Sequence, residues 1–101
     1  MTNFPTRAVN MQLQVADVNV GRPSPYGNPF THRKDIWRKW GSMALVASRE
    51  EAILCYEHWL RSQPELVARA QRELKGLALG CYCLPLACHA EVLARVVEES
   101  P

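Results

Sequence analysis

The sequence predicts one α/β domain, with α+β as the alternative, in which three helices cover a small mixed sheet of about three strands. Three observations lead to this prediction: alternating apolar residues near the start, two helix-initiation signatures in the middle, and a short apolar run before a final amphipathic segment. The predicted element order is β-β-loop-α-α-β-α, and a helical excursion between strands is typical of a sheet covered by helices. The length of 101 residues suits a single domain, assigned to residues 1–101.

The first two strands are predicted within residues 8–20. Apolar residues of one parity come first, and the parity then changes: Val9, Met11, Leu13 and Val15 precede Val18 and Val20. Alternation with a period of two residues is typical of a half-buried strand. The change of phase at Ala16 and Asp17 predicts either a tight hairpin or a bulge between two short strands.

The next segment, GRPSPYGNPF at residues 21–30, is predicted to be a loop. Its three prolines lack backbone donors and its two glycines are conformationally permissive, so no regular element is expected there. Tyr26 and Phe30 are large apolar residues, which favours an ordered, packed loop. The apolar pattern of residues 31–47 does not distinguish a helix from a loop, because Ile36, Trp37 and Trp40 fit either a short helix or the anchors of a loop.

Two helices are then predicted from capping signatures. The segment SREE at 48–51 is a capping box, in which a serine and a glutamate each satisfy an otherwise unpaired backbone N–H. The segment SQPE at 62–65 repeats the signature with a proline in the first turn, where its missing N–H does no harm. Apolar residues follow each signature at helical spacing: Ala52, Ile53, Tyr56, Trp59 and Leu60, then Leu66, Val67, Ala70 and Leu74. Gly76 is a suitable residue just beyond the second helix.

The last predicted elements are a buried strand from Leu77 to Cys83 and a helix from about Cys88 to Glu98. The strand is a short apolar run, and the helix presents an apolar face of four residues: Val92, Leu93, Val96 and Val97.

Composition and charge exclude several classes of protein. With 48% hydrophobic and 22% charged residues the chain is unlike a disordered one. The first ten residues lack the apolar run of a signal peptide, and no segment is long enough to cross a bilayer, so the expected location is the cytoplasm. A formal charge of +2 does not argue for a polyanion partner, but five basic residues between 22 and 39 face a single acid and can attract phosphate: Arg22, Arg33, Lys34, Arg38 and Lys39.

Three stretches together resemble a small family of bacterial, archaeal and phage proteins catalogued only as a domain of unknown function. These stretches are GRPSPYGNPF at 21–30, REEAILCYEHWL at 49–60 and LKGLALGCYCLPLACHAEVLARV at 74–96. The resemblance covers residues from about Val18 to Val97 and supports the order of elements. It implies no particular activity, so whether the protein is an enzyme stays open.

A cluster of cysteines and one histidine near the end of the chain forms a candidate metal site: Cys81, Cys83, Cys88 and His89. On a strand, Cys81 and Cys83 share a face, and three thiolates with one imidazole match the ligands that zinc accepts. A C-x-C spacing is nevertheless less suited to one tetrahedral ion than the usual C-x2-C. The alternative is that the cysteines are small buried apolar residues.

The same cluster supports a second hypothesis, in which Cys88 is a catalytic nucleophile. A helix N-terminus favours a thiolate, and a nearby histidine serves as a base. His89 and His32 are the candidates, and His32 is the preferred one because a sequence neighbour often points away on a helix. No arginine follows Cys81, Cys83 or Cys88 at the C-x5-R spacing of thiol phosphatases, so that class is excluded for this cluster.

The loop at 21–30 is a candidate phosphate site. Its candidate ligand-binding residues are Gly21, Arg22, Ser24, Tyr26, Gly27 and Asn28. Gly21, Gly27 and Asn28 permit backbone conformations that aim N–H groups at an anion, Arg22 suits a phosphate, and Tyr26 suits a stacked base. The competing interpretation is that these residues only fix the turn.

The stretch THRKDIWRKW at 31–40 interleaves basic and aromatic residues, which suits either single-stranded nucleic acid or ordinary packing. The leading functional hypothesis is therefore a pocket for a phosphate-bearing ligand, a nucleotide or nucleic-acid end, formed by the 21–30 loop and the Cys81–His89 turn. One alternative is a non-enzymatic phage or mobile-element protein that docks on a host protein through Trp37 and Trp40. The other is a domain stabilised by zinc.

Overall fold

The computed structural model describes residues 5–21, 24–40, 44–82 and 88–99 and confirms the α/β class. Its helices are α1 (Lys34–Trp40), α2 (Arg49–Arg61), α3 (Pro64–Glu73) and α4 (His89–Glu98). Its strands are β1 (Arg7–Asn10), β2 (Val18–Asn19), β3 (Phe30–Thr31), β4 (Ala44–Leu45) and β5 (Ala78–Cys81). No helix in the described part of the chain is long and apolar enough to cross a membrane.

The strands form two small parallel sheets. The larger has the order β1-β5-β2, with Arg7 opposite Ala78 and Val18 opposite Leu79, and the smaller pairs β3 with β4. A mixed sheet was predicted, but every described strand pair is parallel. Parallel neighbours need a crossover, and here β5 enters the sheet between two strands from the start of the chain.

Of the two alternatives predicted between residues 8 and 20, a tight hairpin or a bulge, the hairpin is wrong, because β1 and β2 lie on opposite sides of β5 rather than beside each other. The connection at 11–17 crosses β5 at Gly80, where a Cβ atom would lie 2.5 Å from the Met11 sulfur and 2.7 Å from the Ala16 Cβ. Leu13 and Val15, predicted to be half-buried, lie on this connection and are 78% and 94% exposed. The close crossing explains why residue 80 has no side chain.

Helix α2 begins as predicted, since the Ser48 hydroxyl accepts from the Glu51 N–H at 3.1 Å. The cap predicted for the next helix is wrong by one residue: the N-cap of α3 is Gln63, without a side-chain bond. Ser62 instead ends α2, where its hydroxyl donates to the Trp59 carbonyl at 2.6 Å. The serine that was expected to start one helix is therefore used by the preceding one.

The core lies between the larger sheet and helices α2, α3 and α4, and its fully buried large side chains include Tyr56, Leu60, Leu79 and Leu93. Thr6 joins the start of β1 to the end of α4, because its hydroxyl donates to Glu98 at 2.6 Å and accepts from the Gly76 N–H at 2.7 Å. The hydrogen bonds that Glu98 accepts from the Thr6 hydroxyl and from the Thr6 N–H hold the pKa of Glu98 below its ordinary value. Helix α4 starts at His89 with Cys88 as its N-cap, close to the predicted boundary.

Candidate functional site

A cavity of about 290 Å³ opens at the ends of the parallel strands β2 and β5 of the larger sheet and of β3 of the smaller sheet. Asn19 and Gly21 contribute from the end of β2, Cys81 and Tyr82 from the end of β5, and residues 30–33 from β3 and the turn after it. The first turns of α2 and α4 close the cavity with Arg49 and His89 among others. Ligands of α/β proteins bind at the carboxyl ends of the strands, so this cavity lies where the fold favours a site.

The polar lining of this cavity carries basic and imidazole groups. Two arginines and two histidines belong to it: Arg33, Arg49, His32 and His89. Among the described lining residues there is no aspartate or glutamate. Arg33 makes a two-point bond with Asp35 outside the cavity, at 2.7 Å and 3.2 Å, which lowers the pKa of that carboxyl. One of the two lining arginines is therefore paired with an acid that lies outside the lining.

The rest of the lining is apolar or aromatic. Phe30, Ile36 and Ile53 form walls, and Tyr82, which is 63% exposed, stands at the end of β5. A planar organic group can pack on such surfaces while its charged end contacts the arginines.

The 21–30 loop contributes to the cavity less than predicted. Gly21 and Asn28 line the cavity, whereas Ser24, Tyr26 and Gly27 are not among the lining residues. The N–H groups of Gly21 and Gly27 donate within the loop, to Asn19 Oδ1 at 2.8 Å and to the Ser24 carbonyl at 2.9 Å. The Ser24 hydroxyl accepts from the Tyr26 N–H at 3.0 Å. Arg22, the predicted phosphate ligand of this loop, lies outside the described residues.

Tyr26 and Asn28 fix the loop against the helices. The Tyr26 ring is buried, its hydroxyl donates to Glu73 at 2.9 Å, and the Arg69 guanidinium lies over the ring. Burial, with Glu73, raises the pKa of Tyr26 to about 12. Asn28 donates to the Ala52 carbonyl at 3.2 Å and accepts from the Phe30 N–H at 2.9 Å. In this arrangement the Tyr26 ring has no open face for a base.

Cys88 and His89 form a pair at the cavity wall. The distance from Cys88 Sγ to His89 Nδ1 is 3.7 Å, and His89 Nε2 is 2.8 Å from the Val20 carbonyl. The sequence favoured His32 over His89 as the partner of Cys88, but the His89 ring turns back toward the N-cap. His32 lines the same cavity and stays a candidate for ligand contact.

The metal hypothesis has only part of its residues in the described structure. Cys81 and Cys88 are buried and both line the cavity with His89, whereas Cys83 lies outside the described residues. No group of three or more potential ligands is assembled within the described ranges. The zinc site therefore stays a prediction that depends on Cys83.

The basic and aromatic stretch at 31–40 forms the turn before α1 and α1 itself. Lys34, Arg38 and Lys39 are exposed, and Trp37 is 40% exposed. The side chain of Trp40 lies outside what the structure describes. This surface adjoins the cavity through His32, Arg33 and Ile36.

Arg49 is the cavity residue that sequence reasoning missed. It appeared there only as the second letter of a capping box, and that signal concerns the helix start alone. Its position as the first residue of α2 could have suggested a group held beside a helix N-terminus. Only the packing of α2 against β3 brings it to the ends of the strands.

Comparison with known proteins found a related phage protein and a matching family. The chain is 31% identical over 105 residues to "Uncharacterized 12.4 kDa protein in nrdA-td intergenic region" of Enterobacteria phage T4, covering 96% of this chain and 86% of that protein. No solved structure matches it. A family model described as "Domain of unknown function (DUF4326)" matches residues 5–99, and the chain therefore belongs to that family.

Proposed function

We propose that this domain binds a phosphate-bearing ligand, a nucleotide or the end of a nucleic acid, in the cavity at the carboxyl ends of the strands. The observation that carries the proposal is the lining itself, which places Arg33, Arg49, His32 and His89 around one cavity with no described acid among them. A cluster of basic and imidazole side chains around one cavity favours an anion.

Phosphate is the anion that these groups suit best. The planar guanidinium of Arg49 can donate two parallel hydrogen bonds to phosphate oxygens, and such charge-assisted bonds are stronger than neutral ones. Arg49 is also the first residue of α2, and His89 is the first residue of α4. The N–H groups in the first turns of these helices add positive potential at the same wall.

The apolar walls and the size of the cavity favour a nucleotide over inorganic phosphate. Phe30, Ile53 and Tyr82 offer packing surface for a base or a sugar. The volume of about 290 Å³ is at the lower end of the range for small-molecule sites. A longer nucleic acid can extend from the cavity over Lys34, Arg38 and Lys39 of α1, which are exposed.

The proposal is tested by calorimetric titration with AMP, adenosine, inorganic phosphate and a 5′-phosphorylated oligonucleotide. We expect AMP or the oligonucleotide to bind, and adenosine to bind more weakly because it lacks the phosphate. Arg49→Ala should weaken binding about tenfold to a hundredfold, because a hydrogen bond to a charged group contributes about 1.5–3 kcal/mol.

Arg72→Ala is the matched control, since Arg72 is an exposed arginine on α3 outside the cavity. It should leave affinity unchanged. If both variants lost the same affinity, the loss would be due to the net charge of the protein and not to Arg49 in the cavity. If none of the four compounds bound the native protein, the proposal would be contradicted.

A second candidate function is docking on a host protein, and one specific observation favours it. Leu13 and Val15 are 78% and 94% exposed on the connection at 11–17, and Trp37 is partly exposed on α1. Large exposed apolar side chains commonly mark interaction surfaces.

We expect a partner protein, if this function holds, to be retained from bacterial lysate by the native chain and lost by the Leu13→Ser, Val15→Ser double variant. Quantitative mass spectrometry of both captures is the measurement. If the native chain and the double variant retained the same proteins in the same amounts, the connection at 11–17 would not be the docking surface.

A further inference from the structure

We infer that Cys88 is a nucleophilic thiol, that His89 is its general base, and that the pair acts on the carbonyl carbon of an ester or amide group in a ligand that also carries a phosphate. The reactivity of the thiol stands on the local geometry alone. The phosphate-bearing nature of the ligand rests on the proposed function.

The hydrogen bonding of His89 determines which ring nitrogen faces the thiol. His89 Nε2 is 2.8 Å from the Val20 carbonyl oxygen, which can only accept a hydrogen bond. Nε2 must therefore carry the proton in the neutral ring, and the lone pair of Nδ1 is directed to the side of Cys88 Sγ, at 3.7 Å. A histidine held in this tautomer is ready to take the thiol proton.

The ring is held in that orientation by the core. The edge of Tyr56 packs against it with 5.1 Å between ring centroids and an angle of 77°. Tyr56 is fully buried, and its hydroxyl donates to the Tyr26 carbonyl at 2.8 Å. Tyr56 is a positioning residue for His89, because it touches the imidazole and not the sulfur.

The backbone places Cys88 at the start of a helix. Cys88 is the N-cap of α4, with extended φ of −142° and ψ of 146°, and its N–H donates to Glu91 Oε1 at 3.1 Å. The N–H groups of the first turn of a helix favour a thiolate, whereas burial of the thiol and the Glu91 carboxylate disfavour it, so the transfer of the proton to His89 generates the nucleophile. Cys88 is 3% exposed and lines the cavity, and a bound ligand would contact it there.

The chemistry follows from these positions. The S–H proton moves to Nδ1, Sγ adds to the carbonyl carbon, and the carbonyl π electrons move to oxygen. When the carbonyl re-forms, an alcohol or amine leaves with the proton from Nδ1, and the ligand becomes a thioester on Cys88. Water then attacks the thioester, gives one proton through Nδ1 to the departing sulfur, and releases a carboxylic acid. In this scheme the thiol is the nucleophile and the histidine transfers the proton, which are their usual roles.

Cys81 provides an internal control for reactivity. Cys81 and Cys88 are each 3% exposed and both line the cavity, but the sulfur at 3.7 Å from His89 Nδ1 is that of Cys88. Trypsin cleaves after Lys75 and Arg95, so fragment-ion sequencing of peptide 76–95, which also contains Cys83, distinguishes Cys81 from Cys88 in the full, untagged chain.

The test is alkylation by iodoacetamide at neutral pH, together with p-nitrophenyl acetate as the acyl donor. We expect Cys88 to be alkylated about a hundredfold faster than Cys81, because general-base assistance is typically worth that much. p-Nitrophenyl acetate should release one equivalent of p-nitrophenol rapidly and leave the acetyl group on Cys88. His89→Gln should bring the two alkylation rates close together, and His58→Gln, an exposed histidine on α2, should leave their ratio as in the native chain.

Three results would overturn the inference: equal rates of Cys88 and Cys81 in the native protein, acetylation at another residue, or stoichiometric zinc with an unreactive Cys88. The first is measured without any variant, so a folding failure of His89→Gln does not obscure it. A reactive Cys88 in a protein that binds no nucleotide would refute the proposed function while leaving the thiol assignment intact. Protection of Cys88 by AMP would support both.

Discussion

Replacing Tyr56 with alanine is expected to lower the free energy of unfolding by about 3–5 kcal/mol, the usual cost of removing a buried aromatic side chain. Tyr56 has no exposed surface, and its ring contacts both Trp59 and His89. The change would leave a cavity beneath the site and remove the donor to the Tyr26 carbonyl. Urea unfolding followed by circular dichroism measures the loss, which is a large share of the about 5–15 kcal/mol of a typical domain.

Tyr56→Phe separates the ring from the hydroxyl. It keeps the packing and removes only the donor to the Tyr26 carbonyl, so we expect a smaller loss of about 1–3 kcal/mol from the unpaired buried acceptor. A Tyr56→Phe variant as unstable as Tyr56→Ala would mean that the hydroxyl, and not the ring, dominates. A Tyr56→Ala variant as stable as the native chain would contradict the described core.

Gly80→Val is the second substitution with a large expected effect, a loss of about 3 kcal/mol or more from overpacking. A Cβ at residue 80 would lie 2.5–2.7 Å from Met11 and Ala16. The Met11 side chain can swing aside, but the Ala16 Cβ moves only with its backbone. The connection between β1 and β2 would therefore be lifted from β5, and chemical denaturation should show the loss of stability.

A matched pair of variants assigns that effect to the crossing. Gly80→Ala should destabilise the protein, because the new Cβ contacts Met11 and Ala16. The double variant Gly80→Ala, Ala16→Gly should recover part of the lost stability, because it lacks the Ala16 Cβ, which moves less easily than the Met11 side chain. Ala16→Gly alone sets the baseline, since glycine costs up to about 1 kcal/mol in backbone entropy. If the double variant were no more stable than Gly80→Ala, the close contact at Ala16 would not be the cause.

The helices were predictable because their signals are local. The cap at Ser48 and the apolar spacing of α2 and α4 act within a few residues, and both helices form near the predicted boundaries. The pairing of strands is not local: β1 pairs with β5 about seventy residues later in the chain. Alternating parity at 8–20 indicates a strand but not its neighbour, which is why the hairpin was predicted wrongly.

The candidate site could be predicted only in part for the same reason. Cys88 and His89 were identified because they are adjacent at a predicted helix start, although their mutual orientation depends on Val20 and Tyr56. Arg49 was missed because nothing near it in sequence indicates that α2 carries it to the strand ends. Tyr26 was assigned to a ligand because its loop is unusual, whereas its partners Glu73 and Arg69 come from a distant helix.

The central claim is that an anionic ligand occupies the cavity at the carboxyl ends of the strands, and amide chemical-shift mapping by nuclear magnetic resonance during titration with AMP tests it most directly. The account predicts saturable shifts concentrated at Gly21, residues 30–33, Arg49 and His89, which line the cavity on four separate segments. Shifts confined to α3 on the far side of the core, or no shifts at high AMP concentration, would contradict it.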